Sequence, residues 1–259
     1  MIKIIAIANQ KGGVGKTATA AALAQGLERF HGKKALAVDL DAQCNLSQLY
    51  GVKNYKRTTE TVMARKLPAY KCDQSTPRCG RIIAASPNLA TMDARLSRRR
   101  DKYREDVTTI LRDALREFDQ IFQYIIIDCP PSVGVLTVNA LVAADCVIIP
   151  IASGDPYSIS GALAMRDNID TVRSGPNPGL KIAGLLITKV RRTSLAATFR
   201  ARADSLAEQL DTRVFAATIR QAVAVQEAAT VKRSIFAYAP RSAVAQDYKE
   251  FINEVRCYD

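Results

Sequence analysis

Asn9-Gln10-Lys11-Gly12-Gly13-Val14-Gly15-Lys16-Thr17 is the stretch that decides the fold. The apolar run Lys3–Ala8 precedes it. Small residues follow it (Ala18, Ala20, Ala21, Ala22, Ala24), and their pattern predicts a helix over Thr17–Phe30. Strand, glycine-rich turn and helix is the setting a phosphate-binding loop needs. Glycines let the backbone turn tightly and aim successive N–H groups at an anion. The helix start adds the positive end of its dipole. Gly12, Gly13, Val14, Gly15 and Ala18 are therefore candidate phosphate contacts. Lys16 can reach the outer phosphates, and the Thr17 hydroxyl can ligate Mg²⁺. A glycine turn that binds nothing is the plain alternative, and the terminal Gly-Lys-Thr argues against it.

Outward from the loop, short apolar runs alternate with longer amphipathic segments. The runs predict strands at Lys3–Ala8, Ala35–Asp39, Arg81–Ala85, Tyr124–Asp128, Cys146–Ile151, Lys181–Thr188 and Val214–Ile219. Several are continuous rather than alternating, as in Tyr124-Ile125-Ile126-Ile127, which marks strands buried on both faces. Helices are predicted at Asp106–Phe118, Val135–Ala143, Ser158–Thr171, Leu195–Leu210, Val223–Ala229 and Ala243–Val255. The expectation is an α/β fold, a mostly parallel twisted sheet with helices on both faces, in one domain over 1–259. The segment at about 53–104 has little periodicity. From Lys53 to Arg104 it carries 14 basic and 4 acidic residues, +10 of the chain's net +12.

Three carboxylates fall at predicted strand ends. Asp39 can approach a metal through water, and Asp128 can hold Mg²⁺ directly or through water. Both belong to the carboxyl edge of an open α/β sheet, its usual ligand side. Asp41, two residues past Asp39, is placed to orient an attacking water. Helix capping is the plain alternative for a lone strand-terminal Asp; three such residues beside one phosphate loop weaken it. Lys11, Lys16 and Asp41 are the candidate catalytic set, and Thr17, Asp39 and Asp128 the candidate metal set.

The loop lacks the common first glycine, which would fall at Gln10, and has an additional lysine at Lys11. Lys-Gly-Gly-x-Gly-Lys-Thr resembles the deviant Walker-A loop of the ParA/MinD ATPase family. The resemblance extends over nearly the whole chain. Asp39-Leu40-Asp41-Ala42-Gln43-Cys44-Asn45-Leu46-Ser47 is similar to the family's switch segment, with Ala42 where proline is usual. Ile125-Ile126-Ile127-Asp128-Cys129-Pro130-Pro131 is similar to its Walker-B strand and turn. Leu141–Pro150, Gly161, Gln226-Glu227-Ala228 and Ala239-Pro240-Arg241-Ser242 resemble ParA proteins of chromosome and plasmid partition. The resemblance implies ATP and Mg²⁺ as cofactors and weak intrinsic ATP hydrolysis. It implies an ATP-state homodimer in which Lys11 reaches the other subunit's nucleotide. It implies a requirement for Asp41 in hydrolysis, a ParB-like adaptor that stimulates turnover, and non-specific DNA binding at the nucleoid. It also implies adenine contacts at Thr188 and Lys189, and at Ile219 and Arg220, where many members carry Ile-Pro-Arg.

Composition closes off other readings. No apolar run approaches the ~20 residues of a membrane span. The start lacks a signal-peptide core, so a cytoplasmic protein is expected. One histidine, His31, and no Cys-x-x-Cys pair leave no zinc set. Cys72 and Cys79 read as loop thiols. No Gly-x-Ser-x-Gly elbow is present, which argues against triad hydrolysis. A MinD-like membrane anchor needs a basic amphipathic C-terminus, yet acids Asp247, Glu250, Glu254 and Asp259 lie there. An iron–sulfur ATPase needs a second cysteine setting besides Cys129. A bacterial tyrosine kinase usually ends in clustered tyrosines, and only Tyr248 and Tyr258 occur near the end. The net charge favours a polyanion partner, and without a helix-turn-helix the contact is to phosphates, not bases. Two surfaces compete: Arg191, Arg192, Arg220, Lys232 and Arg233, favoured by the family analogy, and Arg98, Arg99, Arg100, Lys102 and Arg104, favoured by bare charge.

Overall fold

The computed structural model describes residues 2–191 and 196–256. β1 (Lys3–Ile7) leads through the glycine loop into α1 (Lys16–His31) and then β2 (Ala35–Asp39). Shorter elements follow: α2 (Asn45–Leu49), α3 (Thr59–Met63), β3 (Asp73–Thr76), β4 (Gly80–Ile83), α4 (Met92–Tyr103) and α5 (Ile110–Leu115). The remainder is β5 (Tyr124–Asp128), α6 (Val135–Ala143), β6 (Cys146–Ala152), α7 (Pro156–Leu163), α8 (Met165–Arg173), β7 (Lys181–Thr188) and α9 (Ala196–Gln209). It closes with α10 (Val223–Thr230), α11 (Ile235–Tyr238) and α12 (Ala243–Arg256).

The seven strands form one sheet in the order β3-β4-β2-β5-β1-β6-β7, parallel except for β3 against β4. The continuous apolar strands divide their side chains between two cores. Ile125 and Ile127 of β5 pack with residues of α3 to α9, and Ile126 packs with those of α1 and α10 to α12. Both faces of the sheet are thus covered, as the run of isoleucines requires.

Register sets the site. Asp128 lies opposite Ile7 of β1 on one side and opposite Asp39 of β2 on the other. The glycine loop and two carboxylates therefore leave three adjacent strands at the same carboxyl edge.

Two expectations need correction, and a third gains a detail. Val214–Ile219 is not a strand: its two ends meet β7 and its extension, through an isolated bridge at Val214, one just beyond at Arg220, and a bond from Ile219 N to Ile187 O (2.9 Å). Its middle is drawn away because the Ala216 and Ala217 N–H groups each donate to the Glu254 carboxylate, at 3.0 Å. The helix predicted over Ser158–Thr171 is broken at Ala164, whose carbonyl accepts a bond from the Gln10 side chain at 2.8 Å. Cys72 and Cys79 lie in turns, as expected of loop thiols. Both are buried, in the cores on opposite faces of the sheet, which keeps them from pairing.

Candidate functional site

The loop between β1 and α1 is built by local bonds. Asn9 is buried; its Nδ2 donates to Pro150 O (2.8 Å) and Ser158 O (3.1 Å), and its Oδ1 accepts from Lys11 N (2.8 Å). Thr188 supports the loop from beneath, its hydroxyl donating to Val14 O at 2.7 Å. Gly13 (φ 76°) and Gly15 (φ 92°) take left-handed conformations that a side chain would strain. No side chain caps the N-terminus of α1, and its first turn carries no acid, so its N–H groups and dipole face the cleft uncompensated. Lys16 folds over the loop and donates to Asn9 O and Lys11 O, both at 2.9 Å. Burial lowers its pKa, against the opposing pull of the Asp128 charge.

The two strand-end carboxylates differ. Asp39 is fully buried and already bonded: Oδ2 accepts from Ser47 N (2.9 Å) and Ser47 Oγ (2.7 Å), and Oδ1 accepts from Asp41 N (3.1 Å). Burial still pushes its pKa up to about 6. Asp39 thus braces the segment from Asp41 to Ser47.

Asp128 is equally buried, and neither of its carboxylate oxygens meets a donor at hydrogen-bond geometry. Burial, and then the charge of Asp39, raise its pKa well above the carboxylate range; the Thr17 hydroxyl and Lys16 pull it back only in part. Two orphaned carboxylate oxygens beside a threonine hydroxyl are a fitting donor set for a hard divalent cation.

The glycine loop opens onto a cleft of about 640 Å³; Asp39 and Asp128, both buried, are not among the residues that line it. Gly12, Gly13, Gly15, Lys16, Thr17, Ala18, Asp41 and Lys189 line it together. Asp41 is half-buried there, and its Oδ1 accepts from Gln43 N at 2.9 Å. Lys11 does not line the cleft. Its ammonium lies 5.9 Å from the centre of the exposed Tyr157 ring on α7, and it makes no ion pair with a described residue.

Other predicted residues lie elsewhere. Val14 and Ile219 are buried in the core beneath the site, and Thr188 is covered by Gly15. Arg220 is outside the cleft, held by Asp247 through two bonds of 2.7 Å. Arg191 donates to Gln221 Oε1, Lys232 is exposed, and Arg192 lies outside the described residues. Arg233, predicted for a polyanion, lines the cleft instead.

Sequence reasoning missed the roles of Asn9 and Ser47 as anchors, and of Gly161 on α7. A Cβ at Gly161 would come within 2.5 Å of Asn9 Oδ1, so glycine is what lets α7 sit against the loop. Asn9 could have been found from its place between strand and glycines; Ser47 carries no signal before its contact with Asp39 is known.

Comparison with known proteins agrees with this geometry. Residues 2–182 match an AAA domain family. The chromosome-partitioning ATPase Soj of Thermus thermophilus is 34% identical over 256 residues, covering 98% of this chain and 95% of that protein. The chain belongs to the ParA family of ATPases. The chromosome partitioning protein ParA of Myxococcus xanthus is 39% identical over 189 residues, 72% of this chain and 64% of the relative. Among solved structures, cobyrinic acid a,c-diamide synthase from Mycobacterium smegmatis, with bound ATP analog and magnesium, has a TM-score of 0.81. It is 29% identical over 98% of this chain and 93% of that one. In this ParA-type ATPase the switch segment lacks proline at Ala42 and carries a left-handed Cys44 (φ 57°) instead, at the start of α2. Among the described residues no helix is long and apolar enough to cross a membrane.

Proposed function

We propose that this ATPase is a partition switch: it binds ATP with Mg²⁺, closes as a homodimer, holds DNA without sequence preference, and releases it on hydrolysis stimulated by a ParB-like adaptor at the nucleoid. Bound Mg²⁺ would neutralise phosphate charge and steady the reacting oxygens. The loop N–H groups from Gly12 to Ala18 and the Lys16 ammonium hold the phosphates. Lys16 exchanges its two carbonyl partners for them. Thr17 and Asp128 would hold the cation, and Asp39 keeps the switch segment in place. Asp41, the carboxylate that lines the cleft, orients the attacking water. Lys189 is the predicted base-side residue that lines the cleft.

One observation carries the dimer. Lys11 does not line its own cleft; its ammonium lies 5.9 Å from the centre of the exposed Tyr157 ring and pairs with no described acid, which leaves it for a second subunit's phosphates. Light scattering with a slowly hydrolysed ATP analogue tests the proposal. The analogue should double the mass, and ADP should leave a monomer. A monomer with both nucleotides would remove the switch.

A further inference from the structure

The basic surface in the C-terminal half is only partly engaged once folded: one cation is ion-paired and one lines the nucleotide cleft. Arg220 is held by Asp247, Arg191 donates to Gln221, and Arg233 lines the nucleotide cleft. Of the four described residues predicted there, Arg191 and Lys232 are exposed and make no ion pair with a described residue.

α4 and its cap are different. From Met92 to Arg104 six residues are basic (Arg95, Arg98, Arg99, Arg100, Lys102, Arg104) and two are acidic (Asp93, Asp101). Met92 and Leu96 bury one side of the helix. Arg95 pairs with Glu60 at 2.7 Å and Arg99 with Glu105 at 2.6 Å, which fix the helix to the body. The rest of the charge points outward. Arg98, Lys102 and Arg104 are exposed and make no ion pair with a described residue; Arg100 meets only the exposed Asp101. Arg98 and Lys102 are one turn apart on one flank. Tyr103 is 65% exposed, and the Lys102 ammonium lies 5.1 Å from its ring centre. Packing like charges this closely is unfavourable unless an anion lies across them.

The helix is also tied to both carboxylate strand ends. Asp93 Oδ1 accepts from Leu136 N (3.0 Å) in the first turn of α6, just past the 130–134 turn that leaves Asp128. Glu60, the partner of Arg95, follows Thr59, whose hydroxyl donates to Asp39 O at 2.7 Å. A shift at the nucleotide site has a short covalent and hydrogen-bonded route to this face.

We infer that the exposed surface of α4, with Arg98 and Lys102 on one flank, Arg100 and Arg104 on the other and Tyr103 at its end, is the contact for the phosphate backbone of duplex DNA. The inference rests on the DNA-binding reading above and relocates its surface. Three of the four cations are arginines, whose planar forks match phosphate oxygens. Tyr103 is the helix's one large exposed apolar group, which leaves an acidic polypeptide little to bury against.

The test compares wild type with Arg98→Ala/Arg100→Ala/Lys102→Ala/Arg104→Ala and with Arg191→Ala/Lys232→Ala. Anisotropy of a random-sequence duplex is read across a salt series, with the ATP analogue present. Alanine suits an exposed helix, so the fold should survive, and unchanged nucleotide affinity checks this. Should the fourfold variant fail that check, Arg98→Ala/Lys102→Ala replaces it. The α4 variant should bind more than about tenfold more weakly, with a log–log salt slope smaller by roughly 0.9 for each phosphate it no longer neutralises. The other variant should stay within about twofold of wild type. Wild-type affinity and slope in the α4 variant, or a weakening confined to the Arg191/Lys232 variant, overturns the inference and leaves DNA binding standing. A wild type that binds no DNA at low salt in any nucleotide state overturns both. Polyglutamate that displaces the duplex at equal charge concentration would mark an acidic-protein face and overturn it as well.

Discussion

Replacing Gly161 by alanine should destabilise the protein although the residue lies inside a helix. Alanine ordinarily improves an exposed helix interior over glycine by about 1 kcal/mol. Here the new Cβ would lie 2.5 Å from Asn9 Oδ1, 3.0 Å from Lys11 N and 3.1 Å from Lys11 Cβ. A normal carbon–oxygen contact is about 3.3 Å, so Asn9 must retreat by roughly 0.8 Å. Its side chain makes three bonds, to Pro150 O, Ser158 O and Lys11 N, and cannot move without stretching them. Overpacking costs about 1–3 kcal/mol and a weakened buried hydrogen bond about 1 kcal/mol. Less the helix gain, the net destabilisation is about 2 kcal/mol. For a chain of this size that lowers Tm by about 4–8 °C. Calorimetry of Gly161→Ala beside Gly179→Ala measures it; the latter Cβ would meet nothing closer than 3.7 Å and should be near neutral. A Tm for Gly161→Ala at or above wild type would refute the view that α7 is packed against the loop through this glycine.

Lys16→Ala should abolish ATP binding, because among the described residues no other cleft ammonium stands at the head of α1; wild-type affinity in a nucleotide titration would contradict the loop assignment. Asp41→Ala should bind ATP and dimerise yet turn over poorly, read by phosphate release, and a parental rate would show that another group orients the water. The nucleotide-free protein should lose stability as pH rises between about 4 and 6 on account of Asp39. Its folded pKa of about 6 lies above the unfolded value of 3.8, so the folded state binds the extra proton. A shift of about two units corresponds to roughly 3 kcal/mol, lost as pH climbs through 6. Urea unfolding of wild type against Asp39→Asn at the two ends of this range should show the difference between them moving by that order against wild type; a constant difference would mean that Asp39 is already well solvated.

The parts of the fold that sequence made legible are those where one physical requirement dominates. Continuous isoleucine runs in β1 and β5 have no stable place except a strand covered on both faces, and the glycine loop leaves a strand for a helix for want of another way to present its N–H groups. The stretch from Lys53 to Arg104 was opaque for the opposite reason. α4 buries only Met92 and Leu96, so its apolar period is nearly empty, and its order comes from Arg95–Glu60, Arg99–Glu105 and Asp93–Leu136, contacts between residues distant in sequence or hidden among other charges. Val214–Ile219 looked like a strand by its apolar content, but Glu254 from α12 takes the N–H groups a ladder would have used. At the site, the loop and Asp128 were readable. Arg220 was not, since nothing in Ile219-Arg220-Gln221 announces that Asp247 will hold the guanidinium away from the cleft.

The switch depends above all on Lys11. Its ammonium lies outside its own cleft, over Tyr157, and in the proposed ATP-closed dimer it would complete a second subunit's nucleotide site. Nucleotide affinity and particle mass of Lys11→Ala should therefore be measured side by side with the slowly hydrolysed ATP analogue. The predicted result is wild-type nucleotide affinity for the monomer and no dimer at concentrations where wild type has fully doubled its mass. A Lys11→Ala protein that dimerises as wild type does, or one that loses nucleotide as a monomer, would contradict it.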